Sequence, residues 1–351
     1  MSVFNGKKLR IEIYGESHAE KIGVSVRGLN GFKFDERELA EFTARRKATD
    51  SVYSTARKEP DIPVFTGVKN GRINGEFTAE IFNENKISKD YSAFYGKPRP
   101  SHADYAWHIK DGALDFSGGG RFSARLTAPF CVVGGILKQY LKTRGIEIES
   151  YVSSVGKVFG RSYKDVGFIT AEEIRALRDN GFPSLDKKEE MLEEIKAAKS
   201  AGDSVGGTSE CVIFGLKGAG DNLFGGLEGK IASLVYAVPA VKGVEFGDGF
   251  DLAEMRGSQA NDGLYIENGE VKFYTNRAGG INGGIANGAP ITFRAAFRPT
   301  PSISIPQKTV DLVKNENTEI IINGRHDACV VPRALPVIES AAAISVADEI
   351  L

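Results

Sequence analysis

Apolar and charged residues alternate near the start of the chain, where Leu9, Ile11 and Ile13 are separated by charged side chains. A period of two is typical of a half-buried strand, so this pattern predicts a strand over residues 8–14. Short apolar runs predict further strands over residues 22–26, 146–155, 210–216 and 291–297, and a glycine-spaced strand over residues 241–250.

Helical signals occur between these strands. Asp35 is a suitable N-cap for a helix that reaches Arg46, with Leu39 and Phe42 on its inner face. The apolar run at residues 130–141 predicts a central helix, which either begins at Pro129 or is kinked there. We predict further helices over residues 227–235 and 335–351, a solvated amphipathic helix over residues 186–199, and a short helix capped by Thr170.

Two Asn-Gly pairs, Asn70-Gly71 and Asn268-Gly269, lie between strand-like runs and predict tight hairpins. The chain contains neither a low-complexity linker nor a block of like charges. We therefore predict one α+β domain over residues 1–351, in which mixed, mostly antiparallel strands surround helices.

The composition of the 351 residues, 41% hydrophobic and 26% charged, is that of an ordinary globular enzyme. The formal net charge is -1, so no overall field attracts nucleic acid or a membrane surface. Three widely spaced cysteines form no metal motif, which favours a reduced compartment. Because the chain also lacks an apolar signal core and a membrane-length apolar stretch, we expect a cytoplasmic protein.

A glycine triplet at residues 118–120 precedes Arg121 and Arg125 and leads into the predicted central helix. A glycine turn at a helix start presents free N–H groups and the positive end of the helix dipole, which suits an anion. The stretch fits a tight turn before a core helix equally well, because it is neither a Walker nor a Rossmann pattern.

Three of the four histidines, His18, His102 and His326, lie in loops beside groups that could hold a proton in place. A loop histidine can equally be a satisfied surface residue, and the histidine spacing fits zinc poorly. Many arginines lie in or beside the same loops, and they either converge on a multiply charged anion or are scattered surface charges. They are Arg45, Arg46, Arg57, Arg99, Arg121, Arg125, Arg298 and Arg325.

Seven segments resemble, in order along the chain, the motifs of the chorismate synthase family. They are Gly-Glu-Ser-His at 15–18, Arg-Pro-Ser-His-Ala-Asp at 99–104, Gly-Gly-Gly-Arg-Phe-Ser-Ala-Arg at 118–125, Gly-Asp-Ser at 202–204, Val-Lys-Gly-Val-Glu at 241–245 with Gly-Asp-Gly-Phe at 247–250, Ala-Gly-Gly-Ile at 278–281 with Gly-Gly at 283–284, and Gly-Arg-His-Asp at 324–327. Seven matches in order across nearly the whole chain are far more specific than any one of them.

The resemblance implies a homotetramer whose subunit is a β-α-β sandwich, with helices between antiparallel sheets. It implies that 5-enolpyruvylshikimate 3-phosphate loses phosphate in an anti-1,4-elimination and becomes chorismate, the last common step of aromatic amino-acid biosynthesis in the shikimate pathway. The family requires reduced FMN although the reaction is redox-neutral overall, and NADPH is a possible reductant. An arginine-lined, glycine-floored pocket suits these anionic ligands.

The resemblance also assigns roles to individual residues. It implies that His18 protonates the departing phosphate and that His102 protonates reduced flavin. Both steps need a proton that is available near neutral pH, where an imidazole titrates. Asp327 is implied to help flavin N5 act as a base, with Ser17 as its relay.

The positions implied to bind ligands lie in the arginine-rich and glycine-rich loops. Substrate or NADPH contacts are implied for Arg45, Arg46 and Arg125. The sequence departs from the family at Val52, where arginine is usual and which bears on NADPH binding, and at Pro239, where asparagine is common. Flavin contacts are implied for Arg121, Phe122, Ser123, Pro239, Ala240, Gly283, Arg298, Pro299, Thr300, Pro301, Ser302 and Arg325.

Two other functions remain open from the residues. A flavoprotein oxidoreductase with the same pocket would consume NAD(P)H in step with product. A non-catalytic module that binds anions or nucleic acid is disfavoured by the net charge of -1. We expect a small-molecule substrate and no nucleic-acid or membrane partner.

Overall fold

The computed structural model of the chain describes residues 1–17, 19–48, 51–54, 59–83, 94–116, 119–167, 169–322 and 326–351. In chain order the strands over these residues are β1 (Ser2–Asn5), β2 (Arg10–Gly15), β3 (Lys21–Arg27), β4 (Val64–Lys69), β5 (Arg72–Phe82), β6 (Glu147–Val155), β7 (Val158–Phe159), β8 (Gly207–Phe214), β9 (Lys217–Gly220), β10 (Val241–Phe246), β11 (Leu264–Glu267), β12 (Glu270–Phe273), β13 (Ile281–Asn282), β14 (Ile285–Asn287), β15 (Ile291–Phe297), β16 (Gln307–Asp311) and β17 (Glu316–Ile320). The helices over the same residues are α1 (Glu36–Ala44), α2 (Asp104–Asp111), α3 (Thr127–Lys142), α4 (Tyr163–Val166), α5 (Ala171–Ala176), α6 (Lys188–Ser200), α7 (Leu227–Tyr236), α8 (Gly257–Ala260) and α9 (Val331–Ile350). None of these helices is long and apolar enough to cross a membrane.

Strands β1 to β5 form an antiparallel sheet in the order β1-β2-β3-β5-β4. The predicted strands at 8–14 and 22–26 correspond to β2 and β3, so both predictions are confirmed. Asn70 and Gly71 form the turn between β4 and β5 with φ angles of 50° and 71°. Positive φ at both turn residues is the geometry that an Asn-Gly pair favours, and the predicted hairpin is confirmed.

The second large sheet is also antiparallel, in the order β10-β15-β8-β6-β7. The strands predicted at 146–155 and 291–297 are confirmed, and that predicted at 210–216 is β8, which begins and ends slightly earlier. The strand predicted over 241–250 is too long, because β10 ends at Phe246. Gly247 and Gly249 take φ angles of 57° and 55°, which turn the chain out of the sheet.

Helices α3 and α9 lie between the two sheets. Helix α3 contacts β3 and β5 of the first sheet, whereas α9 contacts β6 and β8 of the second. The two helices pack closely against each other at Gly134, where an added Cβ would lie 2.5 Å from Cα of Ser340. Glycine therefore sets the spacing of this helix pair. The β-α-β sandwich expected for the α+β fold is confirmed.

The helix boundaries follow from their caps and prolines. Asp35 caps α1 by accepting hydrogen bonds from the backbone N–H groups of Arg37 and Glu38. Helix α3 begins at Thr127, two residues before Pro129, so the proline lies in the first turn, where its missing N–H is tolerated. Helix α9 begins at Val331, one turn before the predicted start at 335.

Other predicted elements are confirmed close to their expected positions. They are α5 after the Thr170 cap, α6, α7, and the β11–β12 hairpin around Asn268-Gly269. Helix α2 and the β16–β17 hairpin were not predicted. A small core of Phe94, Phe116, Ile320 and Ile322 packs between the segments that flank these two elements. It brings residues 94–116 next to residues 312–322.

Candidate functional site

The segment that enters α3 is built from two short 3-10 turns over residues 120–122 and 124–126. Ser123 lies between the turns, and its Oγ accepts from the backbone N–H of Arg125 at 3.2 Å. This local bond turns the Arg125 side chain inward, where it is buried. Arg121 instead remains exposed, with its guanidinium 4.7 Å from the ring centroid of Trp107 in α2. Phe122 packs edge-on against the same ring at 5.4 Å.

One buried carboxylate joins Arg46 to Arg125. Oδ2 of Asp61 accepts from Nη2 of Arg46 at 2.5 Å, and Oδ1 of Asp61 pairs with Nη1 of Arg125. All three side chains are at most 9% exposed. Burial raises the pKa of Asp61, but the charges of the two arginines outweigh it and hold that pKa below its usual range. The cluster therefore contains an ionised carboxylate between two cations.

Asn83, directly after β5, connects this cluster to the loop that follows β2. Its Oδ1 accepts from Nε of Arg125 at 2.9 Å. Its Nδ2 donates to the backbone carbonyls of Glu16 at 3.3 Å and Ala19 at 2.8 Å. One amide side chain therefore fixes both the Arg125 guanidinium and the loop that carries Ser17.

Ser17 lies beside the first 3-10 turn of the segment that enters α3, because its backbone N–H donates to the carbonyl of Gly120 at 3.3 Å. The residue is 3% exposed. Among the residues that the structure describes, Ser17 Oγ has no hydrogen-bond partner, and neither has Nη2 of Arg125. Buried polar groups are rarely left unsatisfied, so these two donors indicate a place for a polar ligand.

A second polar cluster contains His102, Arg99 and Asp104. Nδ1 of His102 lies 2.5 Å from Oδ1 of Asp104, and Arg99 donates to both oxygens of the same carboxylate at 2.7 and 2.8 Å. Burial raises the pKa of Asp104, but hydrogen bonds from Arg99 and His102 dominate and lower it to about 2. Asp104 is therefore ionised at neutral pH and orients the imidazole.

Asp327 lies at the start of the segment that leads into α9. Arg333 donates to both of its carboxylate oxygens at 2.7 and 2.5 Å, and Nε of Arg333 donates to the carbonyl of Arg46 at 3.0 Å. Asp327 is thereby linked to the backbone that carries the Arg46 side chain. Burial and the positive charge of Arg99 lower the pKa of the adjacent His326, because both disfavour the protonated imidazole.

The segment from Arg298 to Ser302 follows β15 and is tied to two other loops. The backbone N–H of Arg298 donates to the carbonyl of Ala240 at 3.0 Å. Oγ of Ser204 donates to the carbonyl of Thr300 at 2.7 Å, and the next residue, Val205, donates through its N–H to the carbonyl of Ala328. The structure therefore brings the predicted flavin segment to the chain that carries Asp327.

The remaining predicted residues lie at varied positions. Pro299 in the flavin segment, Pro239 and Gly283 are exposed, whereas Ser302 is buried. Arg45 does not join Arg46 in the cluster around Asp61. Its guanidinium makes a two-point ion pair with Glu339 of α9, which is fully buried.

Some predictions fall outside the residues that the structure describes. His18, Arg57 and Arg325 do so, as do the first residues of the glycine stretch, 117 and 118. Their implied roles stay predictions.

Four residues of the site were missed by sequence reasoning: Asp61, Asn83, Trp107 and Arg333. Asp61 lies in Pro-Asp-Ile-Pro, and a polar residue fixed between prolines was the one local signal that could have drawn attention to it. Its partners lie 15 and 64 residues away along the chain, so nothing local indicates the pairing.

Comparisons with known proteins agree with this architecture. The family model described as chorismate synthase matches residues 9–351. The chorismate synthase of Thermococcus kodakarensis is 42% identical over 351 residues, which cover 99% of this chain and 97% of that protein. The chorismate synthase of Methanobrevibacter smithii is 40% identical over 350 residues, which cover 99% and 95%. A crystal structure of chorismate synthase superposes with a TM-score of 0.76 at 27% identity, covering 99% of this chain and 93% of that one.

The fold and the site define an α+β sandwich enzyme in which segments distant in sequence hold two buried cations and one oriented imidazole. The chain belongs to the chorismate synthase family.

Proposed function

We propose that the protein converts 5-enolpyruvylshikimate 3-phosphate to chorismate by anti-1,4-elimination of phosphate, a carbon–oxygen lyase step in the shikimate pathway of aromatic amino-acid biosynthesis. The observation that carries the proposal is the buried Arg46–Asp61–Arg125 cluster in a chain of this family. Two guanidinium groups are paired with one carboxylate, so the cluster has a net positive charge and favours binding of an anion. The substrate offers a phosphate and two carboxylates, which arginine binds well.

His102 is the proposed source of a proton for the cofactor. Its Nδ1 is bonded to the Asp104 carboxylate, so Nε2 is the ring atom that exchanges a proton with a ligand. Arg99 keeps Asp104 ionised and in place, which fixes the orientation of the ring. His18, the residue after Ser17 in the sequence, is the proposed proton donor to the departing phosphate.

Asp327 is the proposed group that would help flavin N5 act as a base, and Ser17 is the proposed relay between them. Arg333 links Asp327 to the backbone carbonyl of Arg46, which supports a position of the carboxylate near the C-terminal end of α1. Ser17 Oγ is buried and has no partner among the described residues, so it is free to donate to a ligand and to accept from one. A hydroxyl with that freedom suits a relay.

Reduced FMN is the proposed cofactor, and the residues around Arg298 fit an anionic group. Burial alone lowers the pKa of Arg298, and among the described residues no carboxylate pairs with it. Thr300 Oγ1 is buried and has no hydrogen-bond partner among the described residues. A phosphate oxygen would satisfy both groups. When bound, the reduced flavin supplies an electron to the substrate and recovers it, which leaves no net redox change.

An anaerobic assay tests the proposal. Purified protein with dithionite-reduced FMN and 5-enolpyruvylshikimate 3-phosphate should form chorismate with no net oxidation of the flavin. Consumption of NAD(P)H in step with product would instead indicate an oxidoreductase, and absence of chorismate would refute the proposal. Mixing NADPH with protein and oxidised FMN in a stopped-flow instrument tests whether NADPH is the reductant, given that Val52 stands where an arginine is usual.

We also propose that residues 1–351 act as one domain and assemble as a cytoplasmic homotetramer without nucleic-acid or membrane partners. A single hydrophobic core contains residues of both large sheets, which supports one domain. The β11–β12 hairpin presents Leu264, Ile266 and Val271 on one face, with exposures of 61%, 76% and 60%. A two-stranded hairpin is marginally stable alone, so contact with another copy would cover this face.

A further inference from the structure

Asp61 has an unusual backbone position. It lies between Pro60 and Pro63 and takes a φ angle of 49°, in the left-handed region. Among residues other than glycine, aspartate and asparagine tolerate this region best. The side chain is 5% exposed although it is charged, so its place in the interior depends on the groups it contacts.

Those groups are two guanidinium ions that would repel each other without it. Each oxygen of Asp61 binds one of them, Oδ2 to Arg46 and Oδ1 to Arg125. Two like charges that are each less than a tenth exposed interact strongly, because water screens them little. The carboxylate therefore sets the distance and the relative orientation of the two cations.

The arrangement leaves particular donors free. Arg125 uses Nε on Asn83 and Nη1 on Asp61, whereas its Nη2 has no partner among the described residues. The Arg125 side chain is 7% exposed, so Nη2 is a buried donor. Ser17 Oγ is the second such donor, and Asn83 holds the loop of Ser17 to the same guanidinium.

We propose that Asp61 is a positioning residue for substrate binding: it fixes Arg46 and Arg125 so that Nη2 of Arg125 and Oγ of Ser17 donate to one oxyanion of the substrate. This inference rests on the proposed function and adds to it the group that sets the geometry of the cations. Asp61 is a carboxylate and would repel the anion directly, so it acts through the arginines. The oxyanion is a phosphate or carboxylate oxygen, since both accept from a guanidinium in the same way.

A purely structural carboxylate would behave differently. Losing it would lower the stability of the fold and leave the KM of the folded protein unchanged. A positioning carboxylate must instead change KM more than kcat, because the anion contact is made in the ground state as well as in the transition state. The free donors add a second distinction, since an inorganic anion should stabilise the wild-type protein through them.

The test uses Asp61→Asn, which keeps the size, the tolerance of a left-handed backbone and one acceptor oxygen but removes the charge. Its matched control is Asp248→Asn. Asp248 is 2% exposed and pairs with two cations, Arg277 and Lys164, far along the chain from the cluster. KM for 5-enolpyruvylshikimate 3-phosphate, kcat and the Tm shift caused by inorganic phosphate are measured on each protein with FMN present.

We expect Asp61→Asn to raise KM by about 10- to 100-fold, the effect of misplacing charge-assisted hydrogen bonds. It should also lose most of the phosphate-dependent Tm shift, while Asp248→Asn keeps both values near those of the wild type. If Asp61→Asn does not fold, Asp61→Glu replaces it, because moving the charge by one methylene also misplaces the cations. An unchanged KM and an unchanged phosphate shift in the folded variant overturn the proposal. A wild-type protein that makes no chorismate refutes the proposed function instead, and the phosphate shift then still tests Asp61.

Discussion

Asp104 holds His102 by a single ring nitrogen, with Oδ1 of the carboxylate 2.5 Å from Nδ1 of the imidazole. Arg99 binds the same carboxylate through Nε and Nη2, and Asp104 is 5% exposed. The guanidinium thus fixes both oxygens of the carboxylate, and Oδ1 also contacts the imidazole. This arrangement determines which ring atom of His102 is available for chemistry.

Replacing His102 by alanine should lower kcat by about 100-fold or more, the usual contribution of a general acid. Asp104→Asn should lower kcat by about 10-fold, because the ring stays present but loses its orienting anion. Turnover with dithionite-reduced FMN and the affinity for FMN are measured together, and FMN binding should persist in both variants. His108→Ala is the control, since His108 contacts the carbonyl of Ala113 in its own segment. Full activity of His102→Ala would remove the assigned role.

The lowered pKa of Asp104 predicts a pH dependence of stability. The pKa is about 2 in the folded protein and about 3.9 in an unfolded chain. A carboxyl with a depressed pKa stabilises the fold above its unfolded pKa, and this contribution is lost as the pH falls through the folded pKa. It amounts to roughly 2–3 kcal/mol at neutral pH and about half of that at pH 3.

Urea unfolding of wild type and Asp104→Asn between pH 7 and pH 3 measures this contribution. The difference in unfolding free energy between the two proteins should narrow as the pH falls. A difference that stays constant over this range would show that ionisation of Asp104 is not coupled to folding.

Arg298→Gln should weaken FMN binding by about 10-fold or more, as expected for the loss of a charge-assisted bond to phosphate. Quenching of flavin fluorescence on binding gives the affinity. Arg161→Gln is the matched control, because Arg161 is largely exposed and pairs with Asp186 away from this segment. Equal affinities of Arg298→Gln and wild type would place the flavin phosphate elsewhere.

Arg45 and Arg46 are adjacent in sequence, but we expect substitution of Arg45 to lower mainly the stability and substitution of Arg46 to raise mainly KM. Arg45→Gln leaves Glu339 buried with Lys138 and Arg178 but without its bidentate partner, so it should cost about 3–5 kcal/mol of stability and change KM little. Arg46→Gln should raise KM for the substrate. Urea unfolding of both variants measures the loss of stability, and steady-state kinetics measures the change in KM. A large KM increase in a stable Arg45→Gln protein would support the substrate contact that the family resemblance implies for Arg45.

The apolar face of the β11–β12 hairpin predicts the effect of a charge on assembly. Ile266→Glu should reduce the molar mass observed by light scattering below that of a tetramer, because a buried unpaired charge opposes association. Tyr265→Glu, on the opposite face of the same strand, is the control. A tetramer that survives Ile266→Glu would show that copies associate through another surface.

Much of the fold could be predicted because its signals are local. Alternation of side chains predicted β2, short apolar runs predicted β3, β6, β8 and β15, and Asn-Gly pairs predicted two hairpins whose turns require positive φ. Helix α2 and the β16–β17 hairpin could not be predicted in this way. They are stabilised by a satellite core in which Phe94 and Phe116 meet Ile320 and Ile322, and such contacts leave no periodic pattern in a short segment.

The site residues likewise include some with local signals in the sequence and others whose contacts form only on folding. Arginines and histidines in glycine-rich loops indicated an anion site, and the motif resemblance supplied their roles. The sequence could not distinguish Arg45 from Arg46, since neighbouring side chains at a helix end point about 100° apart and meet different partners. Nor could it reveal Asp61, whose two contacts depend on chain segments that only folding brings together.

The close contact between Gly134 and Ser340 also affects residues outside the helix interface. Thr127, the first residue of α3, lies about two helical turns before Gly134, and Arg125 lies in the 3-10 turn directly before it. A methyl group at position 134 would push α3 away from α9 and carry the guanidinium of Arg125 with it. The ligand contact proposed for Arg125 therefore depends on the spacing of two helices, which is set by a residue without a side chain.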